Sequence, residues 1–300
     1  MPLFILFLAL IFASNPSFGE RTCEKSQLNN LKSVVENCET TISGFKCKPD
    51  CHQPEKKNNH CPDVACRGQR CIGQIPSYPK PVNIFIPHNF DYSKPANLAL
   101  HFHGHNAGAN PSAVHIDLND GRGDYACFAA QSKTNTIVVI PESENKCDDY
   151  RKITPSGFVQ MLKEIRSATA ESKMIWNDQS RLTLSGHSGA YTILNQIGKW
   201  IDSNKEVKAA LQPLSGVGLF DTLYGDKPGI QNLINFMEKK GMPYSTYLTW
   251  DPDTGTAPAS QAMAAVNKSN SSMTSIGARV GHNYHMMNYM TSFLSKTEPK

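Results

Sequence analysis

Ser188 stands in the run Gly186-His187-Ser188-Gly189-Ala190, directly after the apolar "RLTL" and directly before a stretch with helical spacing. A serine on so sharp a passage from strand to helix is either an N-cap or a nucleophile. As a nucleophile it needs a neutral imidazole to accept its proton while Oγ attacks an acyl carbon, and a carboxylate to fix the tautomer of that imidazole. Both residue types follow in the chain: Asp221, Asp251 and Asp253, then His282 and His285. A second group, His101, His103 and His105, alternates along "HFHGH". On a strand these three share a face and offer the ligands of a metal ion.

The elements that must position these residues are short apolar runs in regular alternation with helical patterns. "VNIFIP", "NLALHFHG" and "TIVVIP" read as strands, and "TPSGFVQMLKEIRSATA" follows with Phe158, Met161, Leu162, Ile165 and Ala168 at helical spacing behind Thr154 or Ser156 as N-cap. "RLTLSG" precedes a helix marked by Ala190, Ile193, Leu194, Ile197 and Ile201. The cycle repeats through "SGVGLFD" with "INFMEKKG", "YSTYLTW" with "APASQAMAAVN", and "MTSIGARV" with "HMMNYMTSFLS". Such alternation predicts an α/β fold: a mostly parallel central sheet with helices on both faces. Ligands then collect beyond the carboxyl ends of the strands, where all the residues named above fall.

In this setting the chain resembles the α/β-hydrolase family, whose nucleophile sits on a strand-turn-helix elbow of the form G-x-S-x-G. Ala190 departs from the last glycine, but the position asks only for a small residue. The His-Gly loop of the family is matched by "LALHFHGHN", and the family order of serine, acid and histidine is obeyed by Ser188, Asp221 and His282. The resemblance spans residues 78–296. It implies that the backbone N–H groups of Gly189 and His105 form the oxyanion hole, and it implies no metal and no organic cofactor. Asp221 is expected as the acid rather than Asp251 because it ends the apolar "LSGVGLF", which should bury it; Asp251, before Pro252 and "DTG", reads as solvated. His282 is expected as the base, with His285 opening the terminal helix.

The chain has 300 residues, 39% of them hydrophobic, with a formal charge of +4. Thirty basic against twenty-six acidic side chains, with no long basic run, exclude an electrostatic case for a nucleic-acid partner. Residues 3–13 are apolar, too short to span a bilayer and suited to a signal-peptide core, with Ser17 and Gly19 as small residues near a cleavage site. The expected organisation is a signal peptide over 1–19, a small cysteine-rich, disulfide-bonded region over 20–75 and a hydrolase-like domain over 76–300, in a protein exported to the periplasm or beyond. Seven of the nine cysteines precede residue 75, which favours an oxidising compartment. Cys127 and Cys147, on either side of "TNTIVVIPES", are expected to bridge. Zinc at Cys47, Cys51, Cys61 and Cys66 is the rival reading, against the spacing of a zinc knuckle.

Three function classes follow. The first is a serine hydrolase acting on an acyl bond, a carboxylic ester ahead of an amide, in a substrate that extends to polymers; "YPKPVNIFIPHNFDYSKPANLALHFHGH" resembles the leading segment of exported esterases and depolymerases. The second is a metal-dependent hydrolase using His101, His103 and His105, since "HFHGHN" resembles the H-x-H-x-D-H run of metallo-β-lactamase-like enzymes without its aspartate. The third is a non-catalytic binding protein on a hydrolase scaffold.

Overall fold

The computed structural model describes residues 41–51, 66–104, 125–143, 147–225, 227–282 and 285–297. Their strands are β1 (Phe45–Cys51), β2 (Cys66–Ile75), β3 (Tyr78–Pro87), β4 (Asn97–Phe102), β5 (Thr136–Pro141), β6 (Leu182–His187), β7 (Leu214–Phe220), β8 (Ser245–Trp250) and β9 (Met273–Gly277). Interleaved with them are α1 (Tyr125–Ser132), α2 (Asp148–Arg151), α3 (Pro155–Ala170), α4 (Tyr191–Ser203), α5 (Lys205–Ala210), α6 (Pro228–Lys239), α7 (Ala257–Val266) and α8 (His285–Lys296).

The strands form one sheet in the order β1-β2-β3-β5-β4-β6-β7-β8-β9. β1, β2, β3 and β5 pair antiparallel in succession, and every pairing from β5 through β4 to β9 is parallel. A parallel sheet covered on both faces needs strands that are apolar on both sides. β5 and β7 meet this need, for each is buried from end to end. Alternate side chains then feed two cores. Leu98, Leu100, Ile137, Val139, Leu182 and Leu184 pack with Phe158, Ile165, Ile193 and Leu233 of α3, α4 and α6. Ala99, Val138, Ile140 and Phe220 pack on the opposite face with Phe128 of α1 and Met286, Met290 and Phe293 of α8.

Helix starts agree with their sequence signals. Thr154 caps α3 by accepting from the Gly157 N–H at 3.0 Å, with Pro155 in the first turn where its missing N–H costs nothing.

From the cysteine-rich stretch come β1 and β2, which extend the antiparallel edge of the same sheet. Cys47 and Cys71 are opposite each other in the register and joined by a disulfide, which removes Cys47 from any zinc set. The expected Cys127–Cys147 bridge involves a side chain, that of Cys127, outside the described residues; the Cys147 sulfur lies 3.4 Å from the His103 carbonyl oxygen. The expected signal peptide also lies outside them. Among the described residues no helix is long and apolar enough to cross a membrane.

Because β4, β6, β7, β8 and β9 run parallel, the residues that follow them meet along one edge of the sheet. These are His103 and Gly104, Ser188, Asp221, Asp251 and, beyond β9, His282.

Candidate active site

β6 ends at His187, and the next residue, Ser188, has φ +52°, in the left-handed region that an L side chain occupies only at a cost of about 1 kcal/mol. A 3-10 turn over Ser188–Ala190 then leads into α4. The turn is possible because both flanks are small: a Cβ at Gly186 would sit 2.8 Å from the Ala190 Cβ. Across the edge, a Cβ at Gly104 would sit 2.7 Å from the Ser188 Cβ, so the His-Gly loop needs glycine to come this close. Ser188 does not cap the helix, for the N-cap of α4 is Ala190 and no side chain bonds there. Gly189 lies in the opening turn, where N–H groups lack acceptors within the helix.

Asp221 follows β7 with φ +45° and is fully buried. Its Oδ2 accepts a hydrogen bond from His282 Nδ1 at 2.6 Å. Its Oδ1 accepts from the hydroxyls of Thr254, at 3.1 Å, and Thr256, and from the Asp251 N–H at 3.3 Å. Burial alone would raise the carboxyl pKa. The hydrogen bonds from His282 and Thr256 outweigh it and hold the group below the usual carboxylate range, hence ionised at neutral pH. With Nδ1–H donated to the carboxylate, the neutral form of the His282 ring has its lone pair on Nε2.

His282 is held from both sides. His187, the residue before Ser188, donates from Nε2 to the His282 carbonyl at 2.9 Å, and the two imidazoles lie 4.6 Å apart at a 36° tilt. Burial, and then the neighbouring His282, depress the His187 pKa to about 4, so this ring is neutral in the working range. Asp251 Oδ2 accepts from the Gly281 N–H at 2.9 Å, and its Oδ1 accepts from the Asp253 N–H at 3.0 Å. Asp251 is therefore buried rather than solvated as the turn-rich sequence suggested, and it grips the backbone next to His282 instead of the imidazole. His285 opens α8, fully buried, with its ring 6.0 Å from that of Tyr289.

The sequence reading missed Thr222, Thr254, Thr256 and Tyr224. The Thr222 hydroxyl donates to the Ser188 carbonyl, and the Tyr224 ring lies 5.6 Å from that of Tyr191, three residues after Ser188. Their only signal was position, in the loops after β7 and β8.

The alternating histidines have other partners. His101 is buried, its Nδ1 2.9 Å from Ser185 Oγ on β6. His103 uses both ring nitrogens: Nε2 accepts from the Ser143 N–H at 2.9 Å, and Nδ1 donates to the Gly104 carbonyl at 2.8 Å. No lone pair of His103 is left to bind a cation in this arrangement. His105 lies outside the described residues, and among the described ones no group of three His, Cys, Asp or Glu could hold a metal ion.

No protein-family model matches the chain, and no curated protein matches it. Among solved structures it is similar to a feruloyl esterase module from Clostridium thermocellum complexed with sinapinate, with 15% identity, a TM-score of 0.47, and coverage of 90% of this chain and 94% of that one. It is similar to an arylesterase at 12% identity and TM-score 0.47, covering 91% of this chain and 90% of the other. A thermostable esterase from Pseudomonas putida shows 11% identity and TM-score 0.43, with 93% and 90% covered. Likeness at this level says nothing about substrate. The class follows from the chain's own architecture, a mostly parallel sheet with helices on both faces and a serine on the elbow after β6, which is an α/β-hydrolase-like fold.

Proposed function

We propose that this chain is an exported serine hydrolase that cleaves a carboxylic ester through Ser188, His282 and Asp221. The observation that carries the reading is the 2.6 Å hydrogen bond from His282 Nδ1 to a buried, ionised Asp221, made beside a serine held on a left-handed elbow. His282 Nε2 takes the Ser188 hydroxyl proton as Oγ bonds to the carbonyl carbon. Asp221 fixes the tautomer and stabilises the imidazolium. The carbonyl oxygen becomes an oxyanion, for which the Gly189 N–H and the His105 N–H are the assigned donors. Collapse of the tetrahedral intermediate breaks the C–O bond, the alcohol leaves with the proton from His282, and water, activated by the same base, frees the acid from the acyl-serine. The ester follows from the resemblance of the leading segment to exported esterases. Export is supported by the Cys47–Cys71 disulfide, which needs an oxidising compartment.

The test is turnover of p-nitrophenyl butyrate by Ser188→Ala, with labelling of the wild type by a fluorophosphonate. Loss of about 10⁴-fold or more in kcat, with labelling confined to Ser188, is expected. Undiminished activity in the variant, or activity abolished by a chelator and restored by zinc, overturns the serine mechanism. Absence of both labelling and turnover would make the chain a binding protein.

A further inference from the structure

A cavity of about 590 Å³ lies between the loop that follows β7 and helices α6 and α7. Its walls are the apolar faces of Leu223, Pro228, Pro258, Ala259, Met263 and Val266. Val266, at 75% exposure, and Tyr224, which stands between lining residues Leu223 and Gly225, are two of the three exposed large hydrophobic side chains among the described residues. Monomeric proteins seldom leave such side chains together at the mouth of a cleft without a ligand to cover them.

Tyr224, Tyr191 and Lys227 link the cleft to the turn that carries Ser188. The Tyr224 ring lies 5.6 Å from that of Tyr191, three residues after Ser188. The Lys227 ammonium rests over the Tyr191 ring at 4.8 Å, while the residue itself lines the cleft. Two tyrosine rings in contact thus connect the turn after Ser188 with the loop that lines an apolar trough, and the Lys227 ammonium sits on the ring of Tyr191. A short acyl group would leave the trough empty. A chain of several methylenes fits both its volume and its apolar lining.

Resting on the serine-hydrolase reading, we propose that the substrates are esters with an extended apolar acyl chain of medium length, and that the cleft between α6 and α7 is the site that holds this chain. Full burial of a methylene favours binding by about fourfold, and a trough open on one side recovers part of this, so six added methylenes should raise kcat/KM by about 10- to 100-fold.

The experiment compares kcat/KM for p-nitrophenyl acetate and octanoate in the wild type, in Ala262→Trp, which fills the trough from an exposed position on α7, and in Ile175→Trp, an exposed site elsewhere. The octanoate-to-acetate ratio should exceed about 10 in the wild type and in Ile175→Trp and collapse towards 1 in Ala262→Trp. A wild-type ratio near 1, or a ratio unmoved by Ala262→Trp, overturns the proposal. Calorimetric binding of octanoate ion to Ser188→Ala needs no turnover and separates this proposal from the mechanism. Binding that Ala262→Trp weakens at least about tenfold supports the cleft whatever Ser188 does, and absence of binding refutes it even if Ser188 proves to be the nucleophile.

Discussion

His187 donates a hydrogen bond from Nε2 to the backbone carbonyl of His282, while its ring lies against the ring of the same residue. The side chain that precedes Ser188 thus tethers His282, so that one elbow sets both partners of the proposed first proton transfer. His187→Phe keeps a ring to stack and loses the donor. It should lower kcat by about tenfold, the worth of one lost hydrogen bond, with KM nearly unchanged. An equal loss in His187→Gln, which has a donor and no ring, would show that stacking matters more than the tether.

His187 also marks the pH range of stability. Its pKa falls to about 4 on folding, so between that value and the ordinary 6.5 the unfolded chain binds a proton that the folded chain refuses. Stability should climb with pH across this window. Thermal melting followed from pH 4 to 7 should show a shallower climb in His187→Phe than in the wild type.

Asp221 and Asp251 act on the same loop at different points, and their variants should separate. Asp221→Asn presents the wrong partner to Nδ1 and should reduce kcat by about 10² to 10⁴-fold with little change in KM. Asp251→Asn keeps an acceptor for the Gly281 N–H and should lose about tenfold or less. Because the Asp221 carboxyl is depressed by folding, it adds stability that is present above the ordinary carboxylate pKa and lost as the pH falls through its folded value. Asp221→Asn should therefore flatten the acid limb of the melting profile.

For the two histidines the expected results are of different kinds. His282→Ala should abolish ester turnover in a protein of near-native melting temperature, because its side chain is 30% exposed. His285→Ala removes a fully buried ring and should destabilise the protein while the folded fraction stays active. A dead but stable His285→Ala, beside an active His282→Ala, would reverse the assignment.

The Cys47–Cys71 disulfide pins β1 to β2 at the antiparallel edge, far along the sheet order from β6 and β7. Reduction, or the double change of both cysteines to alanine, should lower stability by about 3 kcal/mol, the value expected for a closed loop of this size. Limited proteolysis should then cut before β3 first, with ester turnover by the remaining body preserved at low temperature.

The parallel half of the sheet and its order along the chain were legible because strands buried on both faces leave unbroken apolar runs, such as "TIVVIP", between helical patterns. The placement of Ser188, Asp221 and His282 at one edge of the sheet was legible because each directly follows such a strand or closes the loop after it. The strands β1 and β2 were hidden: "FKCKPDC" and "CRGQRCIGQI" are polar in sequence, held at and next to the edge of the sheet by pairing and a cross-link, with Cys71 and Ile75 of β2 reaching the core. Asp251 was misjudged for a related reason. A carboxylate in a turn-rich run looks solvated until the backbone of a distant loop, here Gly281, folds over it. The threonines around Asp221 lie 33 and 35 residues away in sequence, and no local pattern announces such contacts.

Ser188 and Asp221 both occupy left-handed backbone, at φ +52° and +45°, where glycine would be at ease and they are not. Two of the residues proposed for the reaction thus stand where glycine would carry less strain, and at Asp221 the hydrogen bonds that its carboxylate accepts offset that cost. At Ser188 the proposed activity and stability are set against each other. Ser188→Gly should melt a few degrees higher than Ser188→Ala, a difference of about 1 kcal/mol, although both are dead as hydrolases. A search for thermostable variants of this protein, made without selecting for turnover, should therefore drift towards glycine at position 188 and lose the proposed nucleophile while improving the fold.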